Sequence, residues 1–192
     1  MRIIDVLTGG DVLTYEPPEN VHGILAAPPC TQFSVSGARW WATKPPELLV
    51  EAKEVVRACL RIIEAAQPSW WALENPVGRL KREVPELGEY AYTWQPYEYG
   101  DPWVKRTCIW GQHTAPHRCP VAIPEYRTEK RWQHSLTDHL SPKPTGAQIA
   151  KLVATGMLPP DWVHRLGPSP ARATLRSITP PGYARAFFEA NP

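Results

Sequence analysis

The chain has 192 residues, 43% of them hydrophobic, and a formal net charge of +2 at pH 7. This length suits one α/β domain with a real core, and so small a charge does not by itself indicate a polyanionic partner. No run of about 18 apolar residues occurs, which excludes a membrane span. The N-terminus lacks the apolar core of a secretion signal, so we expect an intracellular, cytoplasmic protein.

The first half of the chain alternates strand-like and helix-like patterns. Residues 2–6 (RIIDV) and 23–27 (GILAA) are short apolar runs that predict buried strands, with a loop between them. A helix is predicted from Pro46 to Gln67, since its apolar residues recur at helical spacing. Residues 70–74 (WWALE) predict the next strand. Strand, helix and strand in this order imply a right-handed crossover and a parallel sheet.

The second half carries less regular patterns. Strands are predicted at 91–98 and 106–110, a modest helix at 146–155, and a capped helix in the tail. We therefore divide the chain into a catalytic α/β core (1–111), a small irregular recognition region (112–170) and a C-terminal helix that returns to the core (171–192). Basic residues outnumber acids in much of the second half, which fits either a phosphate-facing surface or ordinary solvated loops. The candidate contacts to phosphates or bases are Arg127, Lys130, Arg131 and Trp132.

Three polar groups lie at or next to the ends of predicted strands, where ligands gather in open α/β sheets. Cys30 follows GILAAPP, Glu74 ends WWALE, and Arg106 precedes TCIWG. A thiol, a carboxyl and a guanidinium at neighbouring strand ends can converge on one small planar substrate. Taken singly, each residue also has an ordinary structural explanation.

Together with their motifs, these residues resemble the DNA cytosine-5 methyltransferase family. PPC followed by FS (28–34) is similar to its nucleophile motif, and ENP (74–76) to its Glu-Asn motif. YGDPWVKRTCIWG (99–111) resembles its arginine motif, and SITPPGYARAFFEANP (177–192) its C-terminal helix motif. The four motifs occur in the family's order, as in a short, phage-like variant. The resemblance implies an α/β fold with a truncated Rossmann-like sheet, helices on both of its faces, and DNA as the partner.

The resemblance also implies a mechanism that the residue types support. The Cys30 thiolate would add to cytosine C6 and make C5 nucleophilic, while Glu74 bonds ring N3 and Arg106 holds the carbonyl. The base would be flipped out of the duplex, and the loop from Thr31 to Lys44 would close over it. The other substrate-binding residues that we expect are Pro29, Thr31, Ser34, Asn75 and Lys105. The expected cofactor is S-adenosyl-L-methionine, with Asp11, Pro28, Thr179 and Pro180 as candidate contacts.

The sequence departs from the family in places that bear on activity. Thr31 stands where the family usually has Gln, and Val104 replaces the first arginine of the arginine motif. Gly9-Gly10-Asp11 precedes Cys30 so closely that the family's cofactor-binding strand, Gly-rich turn and helix have no room. Three interpretations therefore stay open. A partner chain or a homodimer completes the cofactor site, the chain binds the cofactor in a reduced site, or the enzyme uses a different electrophile or water.

Two alternatives to a DNA-modifying enzyme also stay open. The first is an enzyme that modifies free pyrimidine nucleotides, because thymidylate synthases also use a cysteine in a Pro-Cys context to attack pyrimidine C6. A catalytically inactive module that binds DNA or another partner is the other.

The sequence also contains residue types that suit zinc, in CIWGQHTAPHRC. The candidate ligands are Cys108, His113, His117 and Cys119. We favour a core position for Cys108 and loop positions for the histidines, and zinc is not expected.

Overall fold

The computed structural model describes residues 2–124, 144–166 and 171–192. The candidate contacts Arg127, Lys130, Arg131 and Trp132 lie outside these ranges. The described chain is mixed α/β, with strands β1 (Gly23–Ala26), β2 (Trp70–Pro76), β3 (Tyr92–Trp94) and β4 (Thr107–Trp110). Its helices are α1 (Pro46–Ala66), α2 (Leu80–Glu83), α3 (Gly146–Ala154), α4 (Trp162–Arg165), α5 (Ala171–Arg176) and α6 (Pro181–Ala190). Short 3-10 helices span Val6–Thr8, Val35–Thr43, Pro85–Leu87 and Pro96–Tyr99.

The β1-α1-β2 unit confirms the predicted strand, helix and parallel strand. Proline at its first position starts α1. The residue that follows the helix, Gln67, adopts a left-handed conformation (φ 46°), and its N–H donates to Ile63 O. The apolar face of α1 includes the buried residues Val56 and Ile63. β1 and β2 then pair in parallel from Gly23↔Trp70 to Ala26↔Leu73.

The pairing of β2 with β4 makes the sheet mixed rather than parallel. The strand order in the described part of the chain is β1-β2-β4-β3, and β2 pairs with β4 in the antiparallel sense. The register runs from Leu73↔Trp110 to Pro76↔Thr107, so β4 begins at the edge where β2 ends. The prediction of a parallel sheet therefore holds for β1 and β2 only.

Two predicted strands differ from the structure. Residues 2–6 form no strand: Asp5 O accepts from the N–H groups of Thr8 and Gly10, and Ile3 and Val6 are 62% and 76% exposed. The apolar composition of residues 2–6 predicted a strand, but a strand also needs a partner to pair with, and composition does not specify one. The predicted strand at 91–98 stops at Trp94, because Pro96 cannot continue a ladder and instead starts a 3-10 helix.

The chain divides into two units, Met1–Thr93 with Thr107–His113, and Trp94–Arg106 with Thr114–Pro192. The first has a core that includes Phe33, Leu73 and Cys108. In the second, buried residues around Trp103 and Trp162 form one cluster, and Trp94 stacks on Tyr183 at 3.6 Å between ring centroids. In neither described unit does a helix have the length and apolarity to cross a membrane.

The predicted loop before β1 is irregular, but it is held on α1. Arg61 of α1 donates to the carbonyl oxygens of Val12 (3.3 Å), Leu13 (3.4 Å) and Tyr15 (2.9 Å) and pairs with Glu16 at 3.1 Å. One guanidinium thus fixes the backbone that follows the Gly-Gly-Asp segment.

Candidate active site at the ends of two parallel strands

The chain leaves β1 through two prolines and turns sharply at Cys30. The N–H groups of Phe33 and Ser34 both donate to Cys30 O at 2.9 Å. Phe33 is fully buried in the core of the first unit and anchors this turn, whereas Cys30 itself is half-buried. The thiol is therefore presented on a fixed turn that keeps partial access to solvent.

A buried hydrogen bond joins this turn to the end of β2. Asn75 is fully buried, and its Nδ2 donates to Pro28 O at 3.0 Å. Asn75 lies two positions beyond Leu73 and opposite Cys108, both of which belong to the core cluster of the first unit. Because side chains alternate along a strand, Asn75 faces this core, and its hydrogen bond holds Pro28 in place. The PPC and ENP motifs are thus brought together.

Glu74 is half-buried on β2, directly opposite Ile109 of β4. Alternation places its side chain on the other face of the sheet from Leu73 and Asn75. Both Cys30 and Glu74 lie in the first unit, where β1 and β2 end side by side. The structure therefore places two of the three predicted catalytic residues near adjacent strand ends.

Arg106 is exposed and belongs to the second unit. It precedes Thr107, the residue that pairs with Pro76 at the start of β4. Its neighbour Lys105 is half-buried, and the Lys105 N–H donates to the side-chain oxygen of Gln95 at 2.9 Å. Residues 99–106 of the arginine motif thus belong to the second unit, where Gln95 holds Lys105, whereas residues 107–111 belong to the first.

The segment after Cys30, expected as a small-residue lid, contains the 3-10 helix Val35–Thr43. Ser34 caps the start of this helix: its Oγ accepts from Ser36 N at 3.4 Å and lies 2.9 Å from Ser36 Oγ. The two tryptophans differ, since Trp40 is 54% exposed with Arg39 over its ring at 5.0 Å, whereas Trp41 is half-buried. The predicted substrate residues Pro29 and Thr31 are both exposed.

Sequence reasoning missed Lys44 and Arg79, which both bind the segment after Cys30. Lys44 Nζ donates to Thr31 O and to Gln32 Oε1, each at 2.9 Å, and Arg79 Nε donates to Gln32 O at 2.8 Å. The available signal was the position of Arg79, three residues after the ENP motif.

The four predicted cofactor residues are divided between the units. Asp11 is exposed at a cleft of about 550 Å³ formed by residues 2–16, and its Oδ1 accepts from Leu13 N at 2.9 Å. Pro28 is buried, and its carbonyl oxygen already accepts from Asn75. Thr179 and Pro180 lie in the second unit, just before α6. Residues 2–10 form no strand-turn-helix, so the described residues of the first unit lack the element with which the family holds S-adenosyl-L-methionine.

The candidate zinc ligands are likewise divided. Cys108 is buried in the core of the first unit, and His113 Nδ1 lies 3.3 Å from Trp71 O. Burial lowers the pKa of His113. His117 and Cys119 are exposed in the second unit. Among the residues that the structure describes, no group of three or more His, Cys, Asp or Glu side chains is arranged to hold a metal ion.

No family model matches this chain, and no curated protein matches it. A function must therefore be argued from its own residues and their geometry.

Proposed function

We propose that this protein is a DNA cytosine C5-modifying enzyme, similar to DNA cytosine-5 methyltransferases, and that its sheet is a truncated Rossmann-like one. The observation that carries the proposal is the buried hydrogen bond from Asn75 Nδ2 to Pro28 O at 3.0 Å. It ties the segment that bears Cys30 to the strand that bears Glu74. A nucleophile and a proton donor on two fixed, adjacent strand ends suit attack on a planar ring.

The reaction begins when the Cys30 thiolate forms a bond to C6 of the cytosine. The electrons of the C5–C6 double bond move toward N3, where Glu74 in its acid form supplies a proton. C5 is then the nucleophilic carbon of an enamine and takes up an electrophile or a proton, while the N3 proton returns to Glu74. Loss of the original C5 hydrogen as a proton, followed by departure of Cys30 from C6, restores the ring and the thiolate. Arg106 keeps the role that its motif implies, holding the carbonyl oxygen of the base.

DNA is the substrate that the surface of this segment favours. Trp40, ten residues after the nucleophile, offers an exposed aromatic face, and Arg39 places a positive charge 5.0 Å from the centroid of that ring. Aromatic faces stack on unpaired bases, and arginine contacts phosphates. A base in a duplex must leave the stack before a thiol can reach C6.

The first half of the reaction requires no methyl donor, because a solvent proton can occupy the electrophile's position at C5. We therefore expect the enzyme to exchange the C5 hydrogen of cytosine in DNA for deuterium when the reaction is run in D₂O. The Cys30→Ser variant should lose at least about 1000-fold in exchange rate, since the nucleophile is removed. The exposed Cys119 provides the matched control, and Cys119→Ser should exchange at the wild-type rate.

Mass spectrometry of the nucleosides released from the DNA measures this exchange. Exchange in free cytidine nucleotides but not in DNA would contradict the DNA assignment and favour the nucleotide-level enzyme. Exchange in neither substrate would contradict the proposed chemistry and would favour the catalytically inactive module that binds DNA or another partner.

A further inference from the structure

Arg79 contacts the segment after Cys30 at three places. Its backbone N–H donates to Phe33 O at 2.9 Å, and its Nε donates to Gln32 O at 2.8 Å. Its guanidinium carbon lies 4.5 Å from the ring centroid of Trp41. The Arg79 side chain is only 11% exposed, so these contacts are shielded from water and weigh more than surface contacts.

The backbone around Arg79 is shaped for this contact. Val35 N donates to Val77 O at 2.9 Å, and Ser34 forms a bridge with Gly78. A Cβ atom at Gly78 would lie 1.8 Å from Phe33 O, so glycine is required for the two chains to approach this closely. Residues 77–79 therefore form a platform for residues 32–35.

Lys44 binds the same segment, residues 31–34, through the side chain of Gln32 and the backbone of Thr31. Its ammonium donates to Thr31 O and Gln32 Oε1, so Gln32 is held through its backbone by Arg79 and through its side chain by Lys44. Burial, and next the charge of Arg79, lower the pKa of Lys44. Two cations thus converge on the residue two positions after the nucleophile.

We propose that Arg79 is a positioning residue that holds Cys30 in its reactive place before substrate binds, by fixing residues 31–34 and Trp41 on the platform. This inference rests on the proposed function, because it takes Cys30 as the nucleophile. Arg79 acts through the backbone of the turn that follows Cys30 and does not contact the base.

The test compares Arg79→Met and Arg79→Lys with the control Arg82→Met. Arg82 is 72% exposed in α2, which begins directly after Arg79, and like Arg79 it lies near Glu83. The first measurement needs no DNA: hydrogen exchange at the amides of Phe33, Ser34 and Val35, and the rate at which iodoacetamide labels Cys30. Arg79→Met should lose at least about 10-fold in protection at these amides and change the labelling rate, whereas Arg82→Met should leave both unchanged.

The second measurement follows covalent capture of DNA that contains 5-azacytosine, as a function of DNA concentration. Arg79→Met should lower the maximal rate about 10- to 100-fold while the half-saturating concentration stays within about 2-fold, because misplacing a nucleophile slows the reaction more than it weakens binding. Arg79→Lys, which keeps a cation beside Trp41, should recover part of that rate. If Arg79→Met fails to fold, Trp41→Leu removes the aromatic partner instead and should lower the maximal rate in the same way.

A wild-type maximal rate and wild-type amide protection in Arg79→Met would overturn the positioning role. An equal loss in Arg82→Met, or a loss that Arg79→Lys does not relieve, would assign Arg79 a merely structural role. If wild-type protein captures no DNA, the proposed function fails, and the positioning role is then decided by amide protection and Cys30 labelling alone.

Discussion

At the scale of single residues, Asn75 has a role that few side chains could fill. A fully buried position that faces the carbonyl oxygen of Pro28 requires a neutral donor of short reach. Aspartate cannot donate in its ionised form, and an apolar side chain would leave the carbonyl oxygen without this bond. The identity of residue 75 is therefore set by the turn that carries Cys30.

We expect Asn75→Ala to lower the free energy of unfolding by about 1–3 kcal/mol, because a buried acceptor loses its donor. It should also slow covalent capture of DNA by Cys30 at least about 10-fold, since Pro28 is no longer held. Chemical denaturation and capture kinetics measure the two effects.

Asn191 provides the matched control. It is also buried, and its Nδ2 donates to Thr114 O and Phe187 O at 3.0 Å, but it lies in the second unit. Asn191→Ala should lose a similar amount of stability without loss of capture per folded molecule. Equal loss of capture in both variants would contradict the specific role of Asn75.

At the scale of elements, the start of α6 depends on Asp101. Gly182 N, in the first turn of α6, donates to Asp101 Oδ2 at 2.8 Å. A Cβ atom at Gly182 would lie 1.8 Å from Tyr99 O, so the helix packs directly on the YGD turn of the arginine motif. Burial raises the pKa of Asp101 to about 6, although the Gly182 N–H and the charge of Arg185 oppose the shift.

This shift predicts how stability depends on pH. The folded state prefers protonated Asp101, so the contribution is fully present below about pH 4 and is lost as the pH rises through about 6. The loss from Asp101 should reach up to about 3 kcal/mol by pH 7.5. Asp101→Asn can still accept from Gly182 N and cannot titrate. Urea unfolding of both proteins between pH 4.5 and 7.5 should show wild type losing stability relative to Asp101→Asn, and parallel curves would contradict this.

Local patterns predicted some elements and failed at others for identifiable reasons. The long amphipathic α1 and the strands beside it were predictable, because helical spacing over 21 residues and short apolar runs are strong signals. The strand at 2–6 was wrong because local composition does not specify a pairing partner. Arg79 was missed because its contact with Gln32 spans 47 residues, and its position three residues after the ENP motif does not by itself indicate such a contact.

At the scale of the whole molecule, the predicted site residues belong to two units. Cys30, Glu74 and Asn75 lie in the first, and Arg106 and Lys105 lie in the second. Motif order in the sequence indicated that these residues act together, and the structure accounts for the PPC–ENP connection by a buried hydrogen bond. The cofactor residues stay a prediction, and the segment before Cys30 lacks the strand, turn and helix that give such a site its shape in the family.

Covalent capture of DNA bearing 5-azacytosine tests the nucleophilic role of Cys30 most directly. Once a thiolate has added to C6, the ring nitrogen at position 5 takes a proton, and the ring has no C5 hydrogen to lose. The adduct therefore forms without any methyl donor, and it breaks down only by losing this N5 proton together with the thiolate. Mass spectrometry of the digested complex should place the nucleotide on the peptide that contains Cys30, with no adduct in Cys30→Ala and a normal yield in Cys119→Ala. No adduct with wild-type protein, or an adduct on another cysteine, would contradict Cys30 as the nucleophile.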